Sequence, residues 1–303
     1  MIINQYISQH KRSPLKKAII NMIPSSLYES YRFKKKRHEY IRYFESIDKN
    51  PESPLMVSIE TFNRCNGTCS FCPVNRNINP LKPQKMTEDL FIHILENLKE
   101  MEFKGRLALY ANNEPLLDDR IYDFAVMARS YVPDAFIYFF TNGTLLDLEK
   151  CRLLAKSLDR IVIDNYDDDL TLHDNIIPIA EACKSDQDLD KKVEIHLRKQ
   201  NEVLSSRGGQ APNVTKKVRR TFPCVAPFNE FTIHPDGRVS ICCDDALGKM
   251  TYWNVAEMRI EEIWHSDKYK EIRNKIICGH ISDLEICRYC DTIRRLKTGT
   301  VIR

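Results

Sequence analysis

Between Leu55 and Leu197 the sequence alternates short apolar runs with amphipathic stretches, and this alternation constrains the fold more than any other feature. The apolar runs predict strands at 55–61, 107–110, 135–140, 160–163 and 193–197. The stretches between them predict helices, namely one N-capped by Thr87 and others at 121–130, 148–157 and 175–182. Alternating strands and helices build a parallel sheet, either open or closed into a barrel.

The pattern changes after about residue 220. Residues 231–234 and 238–242 flank a Pro-Asp-Gly turn and predict a β-hairpin, and a helix is predicted near 261–277. A length of 303 residues accommodates a large domain with a small one beside it. The predicted domains are an N-terminal extension with a linker (1–54), an α/β body (55–218) and a C-terminal module (219–303).

The N-terminal segment is basic. Residues 1–49 hold 11 Lys and Arg against 4 Asp and Glu, a net charge of +7, whereas the other 254 residues sum to −3. The run Arg32–Arg37 could bind an acidic partner such as a membrane surface, a nucleic acid or a phosphorylated substrate. The alternative, which we favour, is a solvated helical extension. Two prolines in Asn50–Pro54 predict the linker that follows.

No segment resembles a signal peptide or a membrane span, so we expect a cytoplasmic protein. The 11 cysteines are an odd number, which disfavours a fully paired disulfide framework. In a reducing compartment, clustered cysteines more often bind metal or act in catalysis. Cys151 and Cys183 lie in helical patterns and are predicted to be core residues.

Three cysteines, Cys65, Cys69 and Cys72, form a C-x3-C-x2-C motif directly after the first predicted strand. Ligands of such folds bind at the carboxyl ends of the strands, so the motif stands at a site position. Three thiolates can hold three irons of a four-iron cluster and leave the fourth iron open to a small molecule. A zinc site, which normally needs a fourth ligand, is the alternative.

The motif and the strand ends that follow it resemble the radical S-adenosylmethionine (SAM) superfamily. An aromatic residue, Phe71, precedes the third cysteine. Ala111–Pro115 stands where the family has Gly-Gly-Glu-Pro, with both glycines replaced, and Thr141–Gly143 matches a Thr-Asn-Gly. The resemblance implies a partial (β/α)6 TIM-like barrel, with SAM bound to a 4Fe-4S cluster. It assigns SAM contacts to Phe71, Asn113, Glu114, Asn142, Asp164 and Arg198.

A second group of cysteines, Cys224, Cys242, Cys287 and Cys290, spans the C-terminal module. Its spacing alone fits a zinc ribbon as well as an iron–sulfur cluster. The module resembles the twitch, or SPASM-like, domain of radical SAM enzymes, which implies one auxiliary 4Fe-4S cluster with an electron-transfer role. Cys243 is an alternative ligand to Cys242.

Three further residues are candidates for contacts with the substrate. Ser205–Gly209 is similar to an Asn-Arg-Ala-Gly segment over the active site of twitch and SPASM enzymes, and Arg207 matches its arginine. Asp244 and Tyr110 are also placed to face the substrate. A surface ion pair is the alternative role for Arg207.

The resemblance implies hydrogen abstraction from an alcohol by a 5′-deoxyadenosyl radical, electron transfer to the auxiliary cluster, and release of a ketone. The four-cysteine spacing is similar to that of twitch enzymes that oxidise aminocyclitols. The expected substrate is a sugar, a cyclitol or a phosphorylated or lipid-linked glycan, and the expected electron donor is flavodoxin or ferredoxin. The basic N-terminus would allow peripheral contact with a membrane, and no nucleic acid is expected. The alternatives are peptide or protein modification, epimerisation and, more remotely, a non-enzymatic zinc-binding adaptor.

Overall fold

One nine-stranded sheet organises the part of the chain that the computed structural model describes, which is residues 3–5, 37–202, 204–214 and 218–292. Its strand order is β1-β6-β5-β4-β3-β2-β7-β8-β9. The strands are β1 (Ile3–Gln5), β2 (Met56–Ile59), β3 (Arg106–Ala108), β4 (Phe136–Thr141), β5 (Arg160–Tyr166), β6 (Val193–Arg198), β7 (Glu230–Ile233), β8 (Arg238–Ser240) and β9 (Thr251–Asn254).

The first seven of these strands, in chain order, run parallel to one another, and the two remaining ladders, β7 with β8 and β8 with β9, are antiparallel. All five predicted body strands are present, and the predicted fold class, a mixed α/β fold with a parallel sheet, is confirmed. Two further strands run parallel to these five, namely β1, which no sequence pattern indicated, and β7, the first strand of the predicted hairpin. Because β7 pairs with β2, the C-terminal module continues the body sheet.

Helices follow the strands and pack on one face of the sheet. They are α1 (Glu88–Glu100), α2 (Ile121–Tyr131), α3 (Leu148–Ala155), α4 (Ile177–Ser185), α5 (Gln187–Lys192), α6 (Ala226–Asn229), α7 (Ile260–His265) and α8 (Asp267–Ile277). Thr87 caps α1 as predicted, and its side chain accepts a hydrogen bond from Leu90 N at 3.2 Å. The helix predicted near 261–277 is two helices, because Ser266 ends α7 and caps α8 through Tyr269 N.

Alternate residues of the strands face opposite sides of the sheet. One side packs on the helices and buries Val57, Leu107, Ile137, Phe139 and Ile161 completely. Burying a side chain of this size contributes about 1.5–3 kcal/mol, so this face supplies much of the stability of the body. The other side lines the interior of the partial barrel and carries polar and aromatic groups, which leads to the site at the carboxyl ends of the strands.

Part of the predicted N-terminal extension is described. Residues 37–46 are helical, and their buried Tyr40 accepts a hydrogen bond on its hydroxyl from Val225 N at 3.0 Å. Of the basic run Arg32–Arg37 only Arg37 lies within the described residues. No described helix combines the length and the hydropathy needed to span a bilayer.

Candidate active site

A cavity of about 340 Å³ lies at the carboxyl ends of the parallel strands. This volume lies within the range of cofactor and small-molecule sites. Twelve residues predicted from the sequence to act at this site line it. They are Cys65, Cys69, Cys72, Phe71, Tyr110, Asn113, Glu114, Asn142, Asp164, Arg198, Arg207 and Asp244. The structure therefore brings together residues that are up to 179 positions apart in the sequence.

The three-cysteine loop leaves room for a group between its thiols. A Cβ placed on Gly67 would lie 3.3 Å from Cys65 Sγ and 3.9 Å from Cys69 Sγ, so a side chain there would occupy the space beside the sulfurs. The Gly67 N–H also donates to Cys65 Sγ at 3.3 Å. Asn142 Nδ2 lies 4.0 Å from the same sulfur. The loop fits a cluster that is ligated by three thiolates, with nearby N–H groups placed to donate hydrogen bonds to its sulfurs.

Without a bound cation the thiols of Cys65 and Cys69 are neutral at physiological pH. Burial raises the pKa of Cys65 and that of Cys69, each to about 12, and neighbouring negative charges add to the shift. Iron must therefore displace protons when it binds, because only the thiolate is a metal ligand. This coupling makes loading of the site dependent on pH.

Glu114 is a buried carboxylate held in one orientation. Its Oε1 accepts hydrogen bonds from Thr141 Oγ1 at 2.6 Å and Leu116 N at 3.1 Å, and its Oε2 accepts one from Asn142 N at 2.7 Å. Burial raises the pKa of Glu114 to about 7, although these three hydrogen bonds oppose the shift. Oε2 has a remaining lone pair in the cavity, which suits an ammonium group such as that of SAM.

The segment that replaces the two family glycines is held by its own side chains. Asn113 Oδ1 accepts a hydrogen bond from Ala111 N at 3.1 Å, while its buried Nδ2 has no partner among the described residues. A buried donor without a partner is costly, so this atom is suited to an acceptor on a ligand. Asn112 N donates to Glu60 Oε1 at 3.0 Å, which fixes the backbone of the segment.

Asp164 belongs to an ionic chain that sequence reasoning missed. His196 donates or accepts at both ring nitrogens, 2.9 Å from Asp164 Oδ1 and 2.9 Å from Glu194 Oε1. Burial lowers the pKa of His196, but the hydrogen bonds to the two carboxylates outweigh it and raise that pKa to about 9. The period-2 pattern of β6 places Glu194, His196 and Arg198 on one face, which was the available signal.

Arg198 lies in the cavity but is held by carboxylates of this chain. Its Nη2 donates to Glu202 Oε2 at 2.8 Å, and its Nη1 lies 3.7 Å from Asp164 Oδ1. The guanidinium also stands 5.7 Å from the ring centroid of Tyr166. Glu202, which the sequence analysis did not select, therefore orients the cation that is expected to meet the SAM carboxylate.

Arg207 enters the cavity from a strained turn. Its φ is +45°, a left-handed conformation that disfavours residues other than glycine, and Gly208 and Gly209 continue the turn. A Cβ on Gly208 would lie 3.0 Å from the carbonyl oxygen of Ile286, so this turn packs directly on the C-terminal segment. Arg207 Nη1 donates to Asn112 Oδ1 at 3.3 Å.

The four auxiliary cysteines, Cys224, Cys242, Cys287 and Cys290, surround a second cavity. Asp244 and Thr292 line both cavities, and Cys290 Sγ lies 3.8 Å from Asp244 Oδ2. Cys243, the alternative ligand, lines the first cavity instead. Four thiols around one buried space fit a cluster with complete protein ligation.

The remaining cysteines are separate from both cavities. Cys151 and Cys183 are buried in the helix layer, where they were predicted to act as core residues, and Cys278 is exposed. Among the described residues, no three His, Cys, Asp or Glu side chains stand close enough together to hold a single metal ion.

Comparison with known proteins identifies two families along the chain. Residues 59–180 match the radical SAM superfamily, and residues 224–291 match the SPASM family, an iron–sulfur cluster-binding domain. A curated relative, the S-adenosyl-L-methionine-dependent 2-deoxy-scyllo-inosamine dehydrogenase of Niallia circulans, is 26% identical over 239 residues, which are 78% of this chain and 93% of the relative.

Solved structures share the architecture. The crystal structure of BtrN in complex with AdoMet and 2-DOIA is 26% identical, has a TM-score of 0.68 and covers 79% of this chain and 94% of that chain. Streptococcus suis SuiB, at 13% identity and a TM-score of 0.54 over 93% of this chain and 87% of that chain, shares the fold. The chain therefore carries a radical SAM domain, which implies SAM and a 4Fe-4S cluster as cofactors, followed by a SPASM domain, which implies auxiliary iron–sulfur binding.

Proposed function

We propose that this radical SAM enzyme is a dehydrogenase that oxidises a secondary alcohol of a cyclitol or a related sugar to a ketone. One observation carries the proposal: the cavity with the four auxiliary thiols meets the larger cavity at Asp244, so a cluster held by those thiols would be placed to accept an electron from a substrate in the larger cavity. The printed activity of the curated relative, dehydrogenation of 2-deoxy-scyllo-inosamine, supports the same reaction and substrate class.

The residues divide between binding and water exclusion. When bound, SAM and the two clusters supply hydrogen-atom abstraction and a one-electron acceptor. Glu114 would hold the ammonium group of SAM through the remaining lone pair of Oε2, and the unpartnered N–H of Asn113 would donate to an acceptor of SAM such as its carboxylate. Tyr110 packs edge-on against Phe140, with ring centroids 4.9 Å apart, and this aromatic wall excludes water from the cavity.

Two charged groups are placed to handle the substrate hydroxyl. The guanidinium of Arg207, steadied by Asn112, donates to the hydroxyl oxygen. The buried carboxylate of Asp244 accepts the hydroxyl proton when the alcohol carbon is oxidised. One hydrogen atom, one proton and one electron then leave the alcohol, which balances the formation of a ketone.

We extend the proposal to the partners of the enzyme. A flavodoxin or ferredoxin supplies the reducing electron, and the reaction takes place in the cytoplasm. If the substrate is a phosphorylated or lipid-linked glycan, the basic N-terminal run would bind its phosphates or contact the surface of a membrane. Binding of the full chain to anionic vesicles, compared with a chain in which Lys34–Lys36 are replaced by Gln, tests that extension.

Product analysis tests the proposed reaction. The reconstituted enzyme is reduced and incubated with SAM and a panel of cyclitols, sugars and peptides that carry deuterium at the reacting carbon. We expect label in 5′-deoxyadenosine and an equal amount of ketone from a cyclitol or sugar. Label transfer from peptides alone, or a protein with zinc and no acid-labile sulfide, would contradict the proposal.

Epimerisation is the second candidate, because Cys243 lines the first cavity and its thiol could return a hydrogen atom to the substrate radical. That reaction leaves the mass of the substrate unchanged and incorporates solvent deuterium at one carbon. Replacement by Cys243→Ser separates the two reactions: it abolishes epimerisation and leaves ketone formation intact.

A further inference from the structure

A buried arginine lies beside the auxiliary thiols and has no assigned role. Arg220 is 4% exposed and lines the same cavity as Cys224, Cys242, Cys287 and Cys290. It follows β6 by a long connection and precedes Cys224 by four residues, so it enters the module together with the first auxiliary ligand.

The hydrogen bonds of Arg220 are satisfied, but its charge is not neutralised by them. Its Nε donates to Phe222 O at 2.9 Å and its Nη2 donates to Pro223 O at 2.7 Å. Its Nη1 donates to Cys290 O at 3.1 Å and Thr292 O at 2.9 Å. All four acceptors are neutral backbone carbonyls, so the guanidinium keeps its full positive charge.

No carboxylate lies within ion-pair distance of Arg220 in the part of the chain that the structure describes. Its aromatic neighbours are the rings of Phe222 and Tyr40, whose centroids lie 4.0 Å and 6.0 Å from the guanidinium carbon. A permanent cation taken out of water is costly unless an anion is nearby. Four cysteinate sulfurs around the same cavity supply that anion once a cluster is bound.

We propose that Arg220 is the counter-cation of the auxiliary iron–sulfur site and that its charge raises the reduction potential of that site. A cluster with four thiolates becomes more negative by one charge when it accepts an electron. A fixed positive charge in a buried site stabilises the more negative state, so it favours the role of electron acceptor. The inference depends on a cluster at the four auxiliary thiols, which the proposed function also requires.

A redox titration followed by electron paramagnetic resonance tests the inference. The background is the full chain with Cys65→Ala, Cys69→Ala and Cys72→Ala, so that only the auxiliary cluster contributes. We expect Arg220→Gln to lower the ratio of reduced to oxidised cluster about tenfold at a fixed potential, or about 59 mV for one electron. Arg220→Lys, which keeps the charge and loses the planar set of donors, should retain the original midpoint.

The matched control is Arg273, another buried arginine that donates to the backbone carbonyls of Pro227 and Trp264 and stacks on Trp264 at 4.1 Å. It does not line the auxiliary cavity. Arg273→Gln should leave the midpoint unchanged. An equal shift in this control, or a midpoint that Arg220→Gln leaves unchanged, would overturn the inference.

A further variant serves if Arg220→Gln loses its cluster. In Arg220→His the charge can be removed by raising the pH, so the midpoint should fall through the imidazole titration more steeply than in Arg220→Lys. Identical pH profiles in these two variants would contradict the inference. A protein without an auxiliary cluster in the unsubstituted background would instead contradict the proposed function.

Discussion

The two cysteine sites of this protein are built in opposite ways. The first takes three thiols from one loop of eight residues, two of them only half-buried, and faces a cavity large enough for a cofactor. The second takes four thiols from segments spread over 67 residues and encloses a small space. Glu114, Asp164 and two arginines line the first cavity, whereas Arg220 lines the second, which shares Asp244 with the first.

This difference separates two kinds of iron–sulfur chemistry. A site with one ligand too few, open to a cavity, can bind and activate a small molecule. A site with complete protein ligation can exchange electrons only. The carboxylates at the first site suit a cationic ligand, and the arginine at the second suits an added negative charge.

Removing one thiol from each site gives the largest expected effects. Cys69→Ala should reduce SAM cleavage to background, because the open cluster loses a ligand. Cys290→Ala should retain SAM cleavage but lose ketone formation, since only the acceptor is affected. Measurement of 5′-deoxyadenosine and ketone in the same reaction checks both.

The exposed Cys278 provides the control for thiol loss, and Cys278→Ala should behave as the unsubstituted enzyme. If Cys290→Ala loses cleavage and ketone formation to the same extent, the comparison between an activating site and an accepting site fails.

Arg207→Lys tests whether Arg207 contacts the substrate rather than SAM. Loss of a planar donor from a reacting oxygen typically costs about 10²–10³-fold in turnover, and we expect a loss of that size here. The affinity for SAM, measured by calorimetry, should stay within about twofold of the original, because the guanidinium of Arg207, held by Asn112, is assigned to the substrate hydroxyl and not to SAM.

Arg129→Lys is the matched control, since Arg129 pairs with Asp159 on the helix layer and does not line the cavity. A tenfold loss of SAM affinity in Arg207→Lys would assign Arg207 to the cofactor instead.

Glu114 should make the affinity of the first site for SAM dependent on pH, an effect that has no counterpart at the second site. Because burial raises the pKa of Glu114 to about 7, its carboxylate gains a proton as the pH falls through 7 and no longer attracts an ammonium group. SAM affinity should therefore fall below pH 7. Glu114→Gln should remove this dependence and weaken SAM binding by about 1.5–3 kcal/mol, or roughly 10- to 150-fold.

Equilibrium binding of SAM to the reconstituted protein between pH 5.5 and 8.5 measures this effect. A Glu114→Gln protein that keeps the original pH profile would remove Glu114 from the SAM site.

The smallest expected effect concerns His196, which acts on the first site through Asp164. Its folded pKa of about 9 is above the unfolded value near 6.5, so its contribution to stability is complete below pH 6.5 and is lost as the pH rises through 9. After solvent screening is taken into account, we expect His196 to contribute about 1–2 kcal/mol to the free energy of unfolding. His196→Gln should lose this contribution. The charged groups that face His196 are Asp164 and Glu194, with Arg198 beyond Asp164.

Thermal unfolding of His196→Gln and of the control His93→Gln, a half-buried histidine on α1, checks this between pH 6 and 10. The gap in melting temperature between His196→Gln and the unsubstituted protein should close at high pH. A constant gap would indicate a packing role alone.

Much of the first site could be predicted because its information is local. The Cys65–Cys72 loop is contiguous, and Glu114, Asn142, Asp164 and Arg198 each end or follow a strand that its own apolar run reveals. Parallel strands bring their carboxyl ends together, so positions in the sequence translate into positions in the cavity.

The remaining features depend on contacts between distant segments. Nothing in the residues of β7 indicates that it pairs in parallel with β2, and nothing near Arg220 indicates that the backbone of Cys290 accepts its hydrogen bonds. The break at Ser266 was locally encoded, since a serine before an acidic residue is a helix cap, but the apolar pattern across it concealed the break.

The pairing of β7 with β2 has a consequence for the rate of the reaction. Cys65 follows β2 by six residues and Cys242 follows β8 by two, and β7 lies between those strands in the same sheet. Electron transfer slows steeply with distance, so hinge motion between the cavity that holds the substrate and the auxiliary thiols would vary the rate of electron transfer from the substrate. Continuous backbone hydrogen bonding across β2, β7 and β8 leaves no hinge at this point, and the tunnelling distance is set by the sheet itself.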